Sequence, residues 1–196
     1  MPARLEPGTF LIASLGIEED AFRRTVVLVL QHIPDEYTLG VIINRPLGER
    51  ANLYSRTELQ NLTAGLQEGD VMSGMFFQGG PVDPGSLIFL HRVDELGDDA
   101  TRISDGLYAG GDLDALREHT SNLESEQPLL RFYLGYADWS PGQLEAEIAL
   151  GAWVLAPGDV DLVFSEEADQ AWHEALHALG GKYAPMSFIP EDPSLN

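Results

Sequence analysis

Runs of β-branched and large apolar residues dominate the first fifty positions of the chain. Residues 9–14 (TFLIAS) and 25–32 (TVVLVLQH) are apolar almost without interruption, and residues 39–44 (LGVIIN) repeat the pattern. Short, continuous runs rich in Val and Ile are typical of strands that are buried on both faces. Because a short link with a Pro-Asp turn separates the second and third runs, the sequence predicts an antiparallel hairpin there.

Further strand-like runs alternate with helical patterns along the rest of the chain. In the helical patterns, apolar residues recur at intervals of three and four, and turn residues separate the segments. The predicted strands are 75–81, 85–92, 128–137, 152–156 and 160–164; the predicted helices are 56–66, 111–123, 141–150 and a last one from 166 to 179.

The ends of the predicted helices carry recognisable signals. Ser140, followed by Pro141 and by Gln143 three positions on, has the form of a capping box with proline at the first helical position. Asp112 is a candidate N-cap for the helix that follows it. Gly180 and Gly181 are placed to end the last helix.

Strands and helices interleave without a regular βαβ repeat, and hairpins are frequent. This order favours the α+β class: one mixed, mainly antiparallel β-sheet with helices packed on it. We expect residues 1–196 to form a single compact domain, with 182–196 as a C-terminal tail.

Charge and cysteine content narrow the range of functions. The chain has 32 acidic and 11 basic residues, a formal net charge of −21, and no cysteine. Such a surface repels nucleic-acid phosphates and anionic membranes, so direct nucleic-acid binding and membrane association are not expected. The absence of cysteine excludes disulfides and thiol chemistry. Without a signal-like or membrane-spanning apolar segment, the chain is expected to be cytoplasmic.

One stretch carries a metal-site motif. Residues 172–181 (WHEALHALGG) contain H-E-x-x-H, in which His173 and His177 would bind zinc and Glu174 would polarise a bound water. In the predicted helix, Trp172 belongs to the apolar stripe, and the two histidines lie on its flank.

A zinc site also needs a third ligand, which the sequence does not supply at a recognisable spacing. His91 and His119 lie upstream, and Glu191 and Asp192 lie in the tail. The motif is weakly specific on an exposed helix. We therefore interpret it as a surface turn of an amphipathic helix, and we expect neither a metal nor a cofactor.

Three other segments are candidates for a ligand or partner pocket. Asn44 and Arg45, at a strand end, can hold an anion. The paired glycines Gly79 and Gly80 can expose backbone N–H groups to a ligand. Tyr136 and Trp139 precede a helix N-terminus, whose free N–H groups favour anions. Each segment also has a structural interpretation as a turn, a tight bend or a helix cap. The candidate residues are Asn44, Arg45, Gly79, Gly80, Pro81, Tyr136, Trp139, Gln143 and Glu145.

Together these segments resemble the AlgH/YqgE family of bacterial proteins. The resemblance is carried by VVLVLQHIPDEYTLGVIINRP (26–46), FFQGGPV (76–82) and LGYADWSPGQLEAEI (134–148), and it extends over about residues 8–179. It implies a single α/β domain in the bacterial cytosol, often labelled a transcriptional regulator, with no established catalytic residue or cofactor. Asp138 and Ser140 stand where the family more often has glycine, and its last helix usually lacks H-E-x-x-H.

Three functions follow from these observations. The favoured one is a non-enzymatic binding or indirect regulatory protein that acts on an unknown protein or small-molecule partner. The alternative is an enzyme with a pocket near the GGP and GYADW segments, with His91 and a carboxylate as acid and base. The third is a zinc hydrolase that uses the H-E-x-x-H turn.

Overall fold

The computed structural model describes residues 3–47, 76–94, 100–112, 114–116 and 129–189. The predicted helix at 56–66 and the possible metal ligands His119, Glu191 and Asp192 lie outside these ranges. None of the helices in the described part of the chain has the length and apolar content that a membrane crossing needs.

The described residues form one curled, nine-stranded sheet. Its main path runs β6-β7-β5-β8-β3-β2-β1-β9, and all neighbours on this path are antiparallel; β4 pairs with β8 in parallel. The sheet is therefore mixed and mainly antiparallel, as predicted. The strands are β1 Thr9–Ala13, β2 Val26–Ile33, β3 Tyr37–Ile42, β4 Phe76–Gln78, β5 Val82–His91, β6 Ala100–Ser104, β7 Leu107–Gly110, β8 Leu130–Trp139 and β9 Trp153–Pro157.

Helices pack on both faces of the sheet. The helix α1 (Gln143–Ala149) covers one face, where Leu144 packs with Trp139 and Trp153. The helices α2 (Val160–Val163) and α3 (Ala171–Leu179) cover the other face. Two 3-10 helices, Ala168–Gln170 and Ala184–Phe188, flank α3.

Successive side chains of β1 and β2 point to opposite faces of the sheet, so these strands contribute to the core on both faces. Phe10 and Ile12 face the α2 and α3 side, whereas Leu11 and Ala13 face the α1 side, and all four are almost fully buried. Trp172 of α3 is also buried, and its indole Nε1 donates to the Ala13 carbonyl at 2.8 Å. The continuous apolar runs of the sequence are thus strands buried on both faces, as predicted.

Residues 160–164 do not form the predicted strand. They form the single-turn helix α2, because the Asp159 side chain accepts hydrogen bonds from the backbone N–H groups of Asp161 and Leu162. Val160, Leu162 and Phe164 alternate like strand residues, but Val160, Val163 and Phe164 are also spaced by three and four, which fits a short helix packed on the sheet.

The start of α1 differs from the prediction in detail. The helix begins at Gln143, and Gly142, with φ of 74°, occupies the N-cap position. Half of the predicted capping box is present, because the Ser140 backbone N–H donates to the Gln143 side-chain oxygen at 3.1 Å. The Ser140 hydroxyl does not cap the helix. Strands β6 and β7 were not predicted from the sequence.

Candidate functional site

Asn44 ties the end of β3 to the residues just before β2. Its side-chain oxygen accepts from the Val26 backbone N–H, and its side-chain nitrogen donates to the Arg24 carbonyl, both at 2.9 Å. Arg24 has φ of 54°, a left-handed conformation that costs a non-glycine residue about 1 kcal/mol or more. Asn44 therefore holds Arg24 in a strained conformation beside the strand ends.

Arg45 and Arg24 are oriented by different contacts around the same place. Arg45 Nη2 donates to the carbonyls of Asp20 and Arg23, at 2.7 and 3.2 Å. The Arg24 guanidinium lies over the Trp172 ring, 4.9 Å from its centroid, which is a cation–π distance. The arginines are thus positioned by backbone carbonyls and an aromatic ring.

These residues line a cavity of about 490 Å³, which we call the arginine pocket. The sequence predicted Asn44 and Arg45 there. Arg23 and Arg24 were missed because they are some twenty positions away in the chain, and α3 contributes further lining. The pocket is defined by Arg23, Arg24, Asn44, Arg45, Asp169 and His173, with Phe188 and Ile189 at its border.

The GGP segment packs against β8 rather than opening towards a cavity. A Cβ atom on Gly79 would lie 2.3 Å from the Gly135 carbonyl oxygen, and one on Gly80 would lie 2.1 Å from that of Tyr136. The Gly79 N–H already donates to the Leu134 carbonyl at 2.7 Å. Both glycines are buried, so they serve a close backbone approach, and the exposed Pro81 follows them.

The GYADW segment forms a hydrogen-bonded cluster on the α1 side of the sheet. Glu147 accepts from the indole nitrogens of Trp139 and Trp153, at 3.0 and 2.7 Å, and from the Gln143 amide at 3.0 Å. Glu147 is central to this cluster, although Glu145 was the glutamate predicted. Its position four residues after Gln143 is the sequence signal that could have found it.

The three predicted segments therefore meet in the sheet, but they do not all line either of the two cavities given for the described residues. Gln78 N–H donates to the Arg45 carbonyl at 2.9 Å, so the first two segments are neighbours. Tyr136, Trp139, Gln143 and the exposed Glu145 line neither the arginine pocket nor the larger cavity described next.

The H-E-x-x-H turn lines a second and larger cavity, of about 1070 Å³, between α2 and α3. We call it the apolar groove. Its polar lining consists of Asp159, Gln170, His173, Glu174, His177 and Ser187. The groove is defined by Phe10, Ala156, Leu162, Ala175, Ala178 and Leu179.

The two histidines of the motif contact the C-terminal 3-10 helix. His173 Nδ1 is hydrogen-bonded to the Ser187 carbonyl, which requires the proton on Nδ1. The His177 ring stands edge-on to the Phe188 ring, with centroids 5.8 Å apart. Within the described ranges, no three His, Asp or Glu side chains are grouped closely enough to hold a metal ion.

His91, the predicted acid or base, is buried at the end of β5. Its Nε2 contacts the Gly110 carbonyl at 3.0 Å, and its Nδ1 accepts from the Val93 backbone N–H at 3.3 Å. Burial lowers the pKa of His91, and the hydrogen bond to the Gly110 carbonyl partly opposes that effect. Both ring nitrogens are thus engaged by the backbone.

A buried arginine lies on the α2 side of the sheet and was not predicted. The Arg131 guanidinium carbon lies 4.5 Å from the Phe77 ring centroid, and its Nη2 donates to the Ser165 carbonyl. Burial lowers the pKa of Arg131 and raises the pKa of the neighbouring Tyr133. Arg131 thereby connects β8 to the chain after α2.

Two solved structures share this fold. A protein from Corynebacterium diphtheriae superposes with a TM-score of 0.73 at 22% identity, covering 96% of this chain and 95% of that one. The solution structure of AlgH from Pseudomonas aeruginosa superposes with a TM-score of 0.68 at 24% identity, covering 98% of each chain. The fold is therefore the α+β fold that these two structures share.

Sequence comparisons show the family. The AlgH-like family model matches residues 10–184. A UPF0301 protein of Chlorobium luteolum is 37% identical over 193 residues, covering 98% of this chain and 96% of the relative. One from Chlamydia pneumoniae is 34% identical over 194 residues, covering 99% and 97%. The chain belongs to the AlgH-like family, as the sequence motifs indicated.

Proposed function

We propose that this chain is a non-enzymatic binding protein whose ligand or partner presents a carboxylate or a phosphate to the arginine pocket. One observation carries the proposal: three of the eleven basic residues line one cavity of about 490 Å³, in a chain with a formal net charge of −21. Guanidinium groups are well suited to bind carboxylates and phosphates through paired hydrogen bonds.

The construction of the pocket supports binding of an anion. Asn44 and the carbonyls that accept from Arg45 hold the lining in place before any ligand arrives. A site that is already organised loses less conformational entropy on binding. His91, the acid–base candidate that the sequence offered, has both ring nitrogens engaged by the backbone, which favours binding over catalysis.

A regulatory role would then be indirect. The acidic surface disfavours contact with nucleic-acid phosphates. A bound small molecule or a partner protein with an acidic group would carry the signal instead. Tight, salt-sensitive binding of the pure protein to duplex DNA would contradict this route.

An NMR titration tests the anion site. Inorganic phosphate and acetate are added to ¹⁵N-labelled protein at constant ionic strength, with chloride as the reference anion. We expect saturable amide shifts around residues 23–24 and 44–45, and Arg45→Gln should weaken binding about tenfold or more.

Arg102→Gln is the matched control. It removes the same charge from the exposed β6–β7 hairpin, where Arg102 contacts Asp105. An equal loss of affinity in both variants, or no saturable shift in the parent protein, would contradict a specific anion site.

A further inference from the structure

We propose that the ligand is an amphiphile with an unbranched acyl chain, whose terminal carboxylate binds in the arginine pocket while its chain lies in the apolar groove. The inference rests on the proposed function, because it takes the arginine pocket as the anion site. The two cavities are adjacent, since His173 and Phe188 line both. A single ligand can therefore contact both.

The groove offers apolar surface over most of its depth. Phe10 and Ala156 lie at its floor, where β1 pairs with β9. Leu162 of α2 forms one wall, and Ala175 and Leu179 of α3 form the other. The small alanine side chains leave room along the helix, and the volume of about 1070 Å³ is at the upper end of typical ligand sites.

Exposed apolar side chains continue the groove towards the arginine pocket. Phe188 is 75% exposed and Ile189 is 43% exposed, and both border that pocket. Large apolar side chains grouped on a surface commonly mark a binding site. An acyl chain that crosses this junction would cover the Phe188 ring.

Backbone hydrogen bonding favours an acyl chain over a peptide. Along the groove rim, Gly158 N–H already donates to the Gly8 carbonyl at 2.9 Å, and Pro157 has no N–H. The N–H groups of Asp161 and Leu162 donate to the Asp159 side chain. A peptide entering here would lose water from its carbonyl groups without gaining these partners, whereas an acyl chain has no such groups.

The charges that line the two cavities favour one orientation. Three arginines and one aspartate, Asp169, line the arginine pocket, whereas the lining of the groove includes two acidic residues, Asp159 and Glu174. A carboxylate is attracted to the first and repelled by the second. The head of the ligand is therefore placed among the arginines.

Isothermal titration calorimetry with acetate, octanoate and dodecanoate, below their aggregation concentrations, tests the inference. We expect the affinity to rise about twofold or more for each added methylene group, because complete burial of one methylene group lowers the Kd about fourfold. Dodecyltrimethylammonium, which has the same chain and the opposite charge, should bind at least tenfold more weakly than dodecanoate.

Two helix variants locate the acyl chain. Ala178→Glu places a charge in the groove at an exposed position of α3, and it should abolish the gain from chain length while acetate binding persists. Ala146→Glu makes the same change at an exposed position of α1, on the opposite face of the sheet, and it should leave dodecanoate binding unchanged. Thermal unfolding of both variants establishes that they are folded.

The outcomes separate the two proposals. If acetate binding depends on Arg45 but does not strengthen with chain length, the anion site stands and the acyl-chain inference is wrong. If no carboxylate binds in an Arg45-dependent way, both are wrong. Tighter binding of an apolar peptide with a free C-terminal carboxylate than of dodecanoate would also overturn the inference.

Discussion

Gly80 lies against the backbone of Tyr136 so closely that a Cβ atom on the glycine would be 2.1 Å from the Tyr136 carbonyl oxygen. No rotamer change can relieve this contact, because the position of a Cβ atom is fixed by its own backbone and the Tyr136 oxygen belongs to the backbone. The GGP segment is therefore required by the packing of the chain onto β8.

Gly80→Ala should destabilise the fold by about 3 kcal/mol, because the added methyl group forces the two backbone segments apart. Urea unfolding followed by circular dichroism measures the change. Gly85→Ala is the control, since a Cβ there meets only the Asp83 side chain at 3.7 Å. Equal stability of the two variants would contradict the close approach.

Glu147→Gln should cost about 1–2 kcal/mol. The substitution removes the charge that strengthens the hydrogen bonds from Trp139 and Trp153. It also leaves one acceptor oxygen in place of two, so the indoles and the Gln143 amide can no longer each donate to an oxygen of their own. Denaturant unfolding gives the free energy, and near-ultraviolet circular dichroism reports the tryptophans. Glu145→Gln, at an exposed position of the same helix, should change neither.

Asn44→Ala should destabilise the protein by about 2 kcal/mol, because it removes the hydrogen bonds that the Asn44 side chain makes with the Val26 N–H and the Arg24 carbonyl. It should also release Arg24 from its left-handed conformation. Amide hydrogen exchange at residues 24–26 measures the second effect. Unchanged protection there would show that Asn44 does not hold this loop.

His91 should make stability fall as the solution becomes acidic. The pKa of His91 is lower in the folded state than in the unfolded state. Between about pH 6.5, the unfolded value, and the lower folded value, the unfolded state therefore binds more protons. The free energy of unfolding falls as the pH falls through this range. The loss from one such group is at most about 1.4 kcal/mol per pH unit.

Urea unfolding at pH 7.5 and 5.5 tests this dependence on the protein and on His91→Gln. The difference between the two pH values should be smaller in the variant, whatever its absolute stability. An unchanged difference would show that His91 does not titrate differently on folding.

Most strands of the sheet could be predicted from the sequence, because each buried strand is a short run of apolar residues. Val26 to Leu30 are apolar in succession, and this pattern has few alternatives. At 160–164 the local pattern was ambiguous, and the decisive contact was the Asp159 cap, which a strand does not need. Strands β6 and β7 are short, and their pairing depends on β5 rather than on a strong pattern of their own.

The candidate site was less accessible to prediction because its parts are distant in the chain. Asn44 and Arg45 stood out at a strand end, but nothing in the sequence joins them to Arg23, Arg24 and His173. Likewise, Phe10 and Leu179 meet in one groove only because β1 lies beside α3 in the folded chain. Which distant residues come together depends on how the strands and helices are arranged in the fold, and a local sequence pattern does not show this.

The pairing of β1 with β9 has a consequence for the order in which the chain can be completed during synthesis. Phe10 aligns with Ala156, and the Ala13 carbonyl accepts from Trp172, so the first strand finds these partners only after residues 153–172 have left the ribosome. Contacts this remote in sequence slow folding, because a long loop must close first. A nascent chain that stops before residue 153 exposes β1 as an open sheet edge, a known hazard for aggregation.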